Sequence, residues 1–182
     1  MFARVPLLEL NVPGRNSWFG AGAAGGRRGG RYPRRAMGYA VLAEAEAFWR
    51  PSNQMGVLNT DLAKQLGAAT LGARLWRLRP GEASTRHRHR RQDELYVLLE
   101  GRGRVRIGHD LLTLEPLSAI YVEAETIRQL FNDTDADQLW LVVGSPQEAI
   151  TSTLEMSEEQ LREMYPDGPK ALPPELDEFS ER

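Results

Sequence analysis

Between Thr70 and Gly144, apolar and polar residues alternate in short runs separated by turn residues: Thr70 to Arg79, Leu95 to Glu100, Val105 to Ile107, Leu111 to Leu114, Ala119 to Val122, Arg128 to Asn132 and Gln138 to Val143. A period of two sends successive side chains to opposite faces of a strand, and runs this closely spaced leave no room for crossover helices. The pattern predicts an antiparallel sandwich or barrel. Arg102, Arg104 and Arg106 set against Val105 and Ile107 predict one solvated and one buried face. Gly108-His109-Asp110 then reads as a hairpin turn with His109 exposed.

Outside this stretch the pattern changes. Residues 37–69 predict a short strand, a helical turn around Ala43 to Phe48, a break at Pro51, and a short helix opened by Asn59 or Thr60 and closed by Gly67. After Pro146, Ser157-Glu158-Glu159-Gln160 forms a capping box for a helix ending near Tyr165 to Gly168. The Pro-rich, acidic close PKALPPELDEFSER predicts an extended arm packed on the barrel or on a neighbouring subunit. Residues 1–36 keep no sustained period, hold seven of the 17 glycines, and read as a disordered leader. The expected organisation is a leader over 1–36, a strand and helix segment over 37–69 packed on a barrel over 70–146, and a C-terminal helix and arm over 147–182.

A chain of 182 residues with 41% hydrophobic residues suits one core in an ordinary globular domain. The formal charge of −2 is uneven: residues 1–36 carry +6 and the remainder −8. An acidic body argues against nucleic acid as its partner. The Arg-rich leader also suits a transit peptide or an RNA-binding tail, and Met37 reads equally well as an alternative start. No apolar run approaches the roughly 18 to 20 residues of a membrane-spanning helix. The absence of cysteine removes disulfides, thiolate metal sites and cysteine nucleophiles, and agrees with a cytoplasmic location. Neither a nucleophile elbow, a P-loop nor a dinucleotide fingerprint is present.

The chemistry concentrates in GEASTRHRHRRQDELYVLLEG, Gly81 to Gly101. His87 and His89 lie two apart on a strand, so both imidazoles emerge on one face while Arg88 faces away. A turn over Arg90 to Asp93 would bring Glu94 back beside them. Two His and one carboxylate on one side of a cation suit iron, manganese, zinc or nickel. The bland readings are that Glu94 pairs with Arg90 or Arg91, that the alternate arginines form a solvated face, and that Trp76, Tyr96 and Trp140 are core.

Gly81, His87, His89, Glu94 and Gly101 resemble the first motif of the cupin superfamily, G(x)5HxH(x)3-4E(x)6G. The resemblance implies an all-β, double-stranded β-helix of jelly-roll type with short flanking helices, a divalent metal held by His87, His89 and Glu94, and a homodimer binding a small-molecule ligand. The family's second motif, PxGxxHxxxN, is degraded: with Asn132 at the Asn position, Arg128 stands where the third metal-binding His belongs.

A guanidinium has no lone pair to give, and its charge repels a divalent cation. Three readings stay open. The metal is held by His87, His89 and Glu94, with Arg128 binding an anionic substrate beside it in an oxygenase or isomerase. Alternatively, Arg128 takes the metal's place, pairs with Glu94, and leaves a metal-free pocket for a carboxylate or phosphate, as in a binding or sensor protein. In the third, the group is a relic that serves only as a hydrogen-bonded core. A one-residue bulge would turn Gln129 inward as a weak fourth ligand. Sugar epimerases of the same family use a His base and a Tyr acid, a scheme that His87 or His89 with Tyr96 could imitate.

Overall fold

The computed structural model describes residues 38–148 and 156–180; the leader expected over 1–36 lies outside the described residues. Among the described residues nine strands run in chain order: β1 (Arg50–Pro51), β2 (Leu58–Asp61), β3 (Gly72–Leu78), β4 (Asp93–Glu100), β5 (Gly103–Ile107), β6 (Asp110–Leu114), β7 (Ala119–Val122), β8 (Arg128–Phe131) and β9 (Gln138–Ser145). All pair antiparallel, in a six-stranded sheet ordered β1-β2-β3-β9-β4-β7 and a three-stranded sheet ordered β6-β5-β8. Single bridges from Ala83 to Phe131 and from His87 to Arg128 lay residues 83–87 along the free edge of β8. The result is the jelly-roll double-stranded β-helix expected from the alternation and the resemblance.

Period-two burial makes the core. Along β9, Gln138, Trp140, Val142 and Gly144 face inward, and they meet Leu78 of β3, Tyr96 and Leu98 of β4, and Val105 and Leu130 from the opposing sheet. The Trp140 indole is fully buried and donates to Gln138 Oε1 at 3.0 Å, so its one polar atom has a partner inside the apolar layer. His109 is exposed in the β5–β6 turn.

Three local expectations are corrected. The short helix α1 (Leu62–Leu66) does close at Gly67, at φ 70, but opens at Asp61, whose carboxylate accepts from the Lys64 N–H at 2.9 Å. Asn59 and Thr60 are instead buried residues of β2, held in register by Trp76 and Leu75 of β3. The outer face of β5 is not simply solvated: Arg104 pairs with Asp133 and Arg106 with Glu175. The C-terminal segment is not extended throughout, because Pro173 and Pro174 lead into a helix, α3 (Glu175–Ser180). Proline is compatible with a helix's first turn. Leu176 of that helix packs with Phe131 and Ala83. The helix α2 (Glu158–Met164) opens on the expected capping box of Ser157 and Gln160.

Gly101, between β4 and β5, sits at φ 81, and a Cβ there would lie 2.3 Å from the Asp137 carbonyl oxygen. Gly67 has similar φ but open space around it. Left-handed backbone alone costs a side chain about 1–2 kcal/mol. Gly67→Ala is therefore expected to lose about that much, and Gly101→Ala clearly more because of the added clash. Urea unfolding checks this, and equal losses would contradict it.

Candidate functional site

The segment before β4 has two faces. Backbone hydrogen bonds tie His87 to Arg128 in both directions (3.0 and 2.9 Å) and His89 N–H to the Ala124 carbonyl (2.8 Å). Arg88 N–H, pointing the other way, donates to the Met164 carbonyl at the end of α2 (3.0 Å). The alternation expected of a strand is thereby kept without a continuous ladder. The outward arginines are engaged with the same end of α2 and the turn beyond it: Arg88 Nε donates to the Glu163 carbonyl, Arg90 pairs with Glu163, and Arg86 pairs with Asp167. They are a clamp on the helix and not a freely solvated face.

Inside, the two imidazoles lie edge to face with centroids 5.1 Å apart. Ligand atoms of His87, His89 and Glu94 fall within 4.8 Å of one another. His89 Nε2 stands 3.3 Å from Glu94 Oε1, and His87 Nε2 stands 3.9 Å from Glu94 Oε2. Each ring is oriented through its other nitrogen. His87 Nδ1 donates to the Thr85 carbonyl at 2.9 Å, and His89 Nδ1 to the Glu148 carboxylate at 3.2 Å. Because both partners are acceptors, both Nδ1 atoms carry the proton. Burial drives the His87 pKa down to about 4, helped by Arg128 and opposed by Glu94. At neutral pH its Nε2 is thus a bare lone pair. His89 Nε2 is buried without a hydrogen-bond partner among the described residues.

Glu94 is the pivot. Burial alone would raise its pKa, but the two imidazoles and the Arg128 guanidinium hold it well below the ordinary carboxylate range. Oε2 accepts from Arg128 Nη2 at 2.7 Å, from Arg128 Nε at 3.1 Å, and from the Tyr96 hydroxyl. Oε1 is left toward the imidazoles, with His89 Nε2 at 3.3 Å and the Gln92 amide at 3.4 Å. The partner of Glu94 is therefore Arg128, not Arg90 or Arg91.

Arg128 is 1% exposed, and its Nη1 donates to the carbonyls of Ala124 and Thr126. It lies behind Glu94 and does not line the cavity that opens over the imidazoles. The expectation that it contacts a substrate is corrected by that placement. Tyr96 does line the cavity. Gln129 points to the opposite face of β8, as regular pairing with β5 requires, and its amide nitrogen donates to the carbonyls of Ser84 and Ala171. No bulge turns it inward, so it stands away from the cluster.

The cavity measures about 230 Å³ and is walled by β3, β4, β9 and the end of α2, with Trp76, Leu130, Val142, Met164 and Tyr165 among its apolar surfaces. Four contributors escaped the sequence reading: Glu148, Gln92, Arg74 and Tyr165. Glu148 accepts from the backbone of Arg91 and Gln92 as well as from His89, and its own N–H donates to Gln92 Oε1. Arg74 shares a face of β3 with Trp76, two residues along, a signal that was available.

A family model described as Cupin domain matches residues 74–144. No curated protein matches the chain. Among solved structures, a sugar phosphate isomerase from a cupin superfamily from Silicibacter pomeroyi is 28% identical, with a TM-score of 0.55 over 59% of this chain and 76% of that one. KdgF from Halomonas sp. is 20% identical, with a TM-score of 0.53 over 60% and 96%. A predicted oxalate decarboxylase from Thermotoga maritima is 16% identical, with a TM-score of 0.53 over 59% and 100%. The last two share the fold.

Removing one member of a buried ion pair strands the other charge, at about 3–5 kcal/mol. Arg128→Met is expected to destabilise the protein by about that amount, and adding Glu94→Gln to recover a large part of it. Additive losses in urea unfolding would show that the two side chains do not depend on each other.

Proposed function

Since residues 74–144 are a cupin domain, we propose that the protein binds a divalent transition metal through His87 Nε2, His89 Nε2 and Glu94 Oε1 and acts on a small anionic compound. One observation carries this reading. Two ring nitrogens and a carboxylate oxygen, all electron-pair donors, converge in a buried space, with the proton of each ring fixed on the far side. Such a group is held together by a cation or a shared proton among its members, and the 3.3 Å between His89 Nε2 and Glu94 Oε1 is the place for one. The orphaned His89 Nε2 fits a ligand, and an N,N,O donor set suits iron, manganese, zinc or nickel.

A metal held there supplies a Lewis acid that polarises a coordinated oxygen of the substrate. The chain's own residues do the rest. Arg128 and Tyr96 hold Oε2 of Glu94, which directs Oε1 to the imidazoles and keeps Glu94 a ligand and not a base. Thr85 and Glu148 fix the ring planes, the outer support that metal-binding histidines generally have. An isomerase is favoured over an oxygenase by the 28% identity to the sugar phosphate isomerase.

The Arg128–Glu94 pair favours a second reading, a metal-free pocket for a carboxylate or phosphate. Metal analysis of tag-free protein purified without added metal separates the two. Bound metal near one equivalent, lost in His87→Ala and Glu94→Ala, is expected; less than about a tenth of an equivalent, with no thermal shift on adding iron, manganese, zinc or nickel, would leave the metal-free pocket. Glu148→Gln is expected to weaken metal binding by about 10- to 100-fold without unfolding the protein. Competition with a chelating dye reads that change, and unchanged affinity would remove Glu148 from the scheme.

A further inference from the structure

Among the described residues that line the cavity, Arg74 is the one lysine or arginine. Its Nη2 donates to Asp61 Oδ2 at 2.8 Å. Asp61 is fixed in turn, because its other oxygen accepts from Lys64 N–H. The guanidinium is therefore held in place by one corner. Its Nε and Nη1 have no hydrogen-bond partner among the described residues, and its carbon lies 6.0 Å from the centre of the Trp76 ring. At 22% exposure it remains accessible. Arg128 differs on each count: it is enclosed and its donors are engaged.

The sheet register sets the distance from Arg74 to the cluster. Arg74 of β3 pairs with Val142 of β9, which pairs with Tyr96 of β4. Arg74 thus stands two strand spacings, roughly 10 Å, from Tyr96. Glu94 lies two residues further along β4, in register with Gly144 and Gly72, and the Gln92 side chain lies over Gly144 beside it. The cavity has apolar walls at Val142, Leu130 and Trp76 and polar ones at Gln92, Gln147 and Thr85. At roughly 30 Å³ per water, a 230 Å³ space holds about seven or eight waters, which is the size of a short-chain acid.

We propose that Arg74, backed by Trp76, anchors the anionic tail of a small two-ended acid, a carboxylate or phosphate joined by a short carbon chain to an oxygen-bearing head at the His87–His89–Glu94 cluster. The head's position rests on the metal reading; the tail's does not. A guanidinium with one corner occupied still presents a fork of parallel donors, and both carboxylate and phosphate match it. The anion-binding role that the motif alignment suggested for Arg128 passes to a residue on a different strand.

Calorimetric titration of the Mn²⁺-loaded full chain tests this with three probes. Lactate has the head alone, 2-hydroxyglutarate adds a carboxylate tail, and 3-phosphoglycerate adds a phosphate tail. At least one tailed acid is expected to bind about tenfold or more tightly than lactate, and which one does so identifies the tail. Arg74→Gln is expected to bring that acid down to the lactate level while leaving lactate and Mn²⁺ binding unchanged. The double variant Asp61→Asn/Arg74→Gln removes both charges together, keeps a capping side chain at position 61, and is expected to show the same loss. No advantage of either tail over lactate, or an advantage that survives both variants, overturns the proposal. Repeating the titrations in EDTA separates the two readings. An Arg74-dependent preference in protein that binds no Mn²⁺ sinks the metal and keeps the anchor. Tight Mn²⁺ binding with a preference indifferent to Arg74 does the reverse.

Discussion

A carboxylate sealed inside a β-barrel needs compensation on both of its oxygens, and the way Glu94 receives it organises everything around it. One oxygen is held by the Arg128 guanidinium and the Tyr96 hydroxyl. The other faces two imidazoles whose protons lie elsewhere. The first half is complete within the chain, and it keeps the residue ionised in spite of burial. The second half is left to the imidazoles, and that asymmetry is what the proposed metal would complete. An arginine in the barrel thus need not compete with a metal. Placed behind the carboxylate, it keeps the shared charge in place and aims the remaining lone pairs.

The legible part of the molecule was the part that obeys a period. Strand alternation located seven strands to within a few residues, and the spacing of His87, His89 and Glu94 was enough to expect one face for all three. Parity tells which side of a sheet a residue occupies and nothing about its partner there. It therefore left open whether Arg128 or, with a bulge, Gln129 faces inward, and it could not choose between Arg128 turning to Glu94 and Arg128 facing the cavity. Glu148 reaches His89 across 59 residues of chain, from a loop with no period of its own. The helix α3 was missed because two prolines were read as extending the chain when they precede a first turn. Arg74 was readable, since it shares a face of β3 with Trp76, but it stands outside both family motifs, whereas Arg128 breaks one.

The cavity is built by elements of different kinds. The six-stranded sheet supplies a rigid wall with fixed lateral spacing, so distances between Glu94, Tyr96, Val142 and Arg74 follow from hydrogen-bond register. The end of α2 supplies the remaining side through Met164 and Tyr165. That side is fastened by the Arg88 Nε bond to the Glu163 carbonyl, one backbone hydrogen bond and surface ion pairs, of which the ion pairs individually contribute little and weaken with salt. Positional accuracy therefore resides in the sheet, and adaptability in the helix.

The stretch from Arg86 to Arg90 carries imidazoles on one side and helix-clamping arginines on the other. Because odd and even positions answer to different neighbours, they form two independent alphabets interleaved in one stretch of chain. Substitutions at the even positions can reshape the doorway, altering which molecules are admitted, while the interior donors stay as they are. Divergence of specificity among descendants of this architecture thus has a route that leaves the inner chemistry untouched.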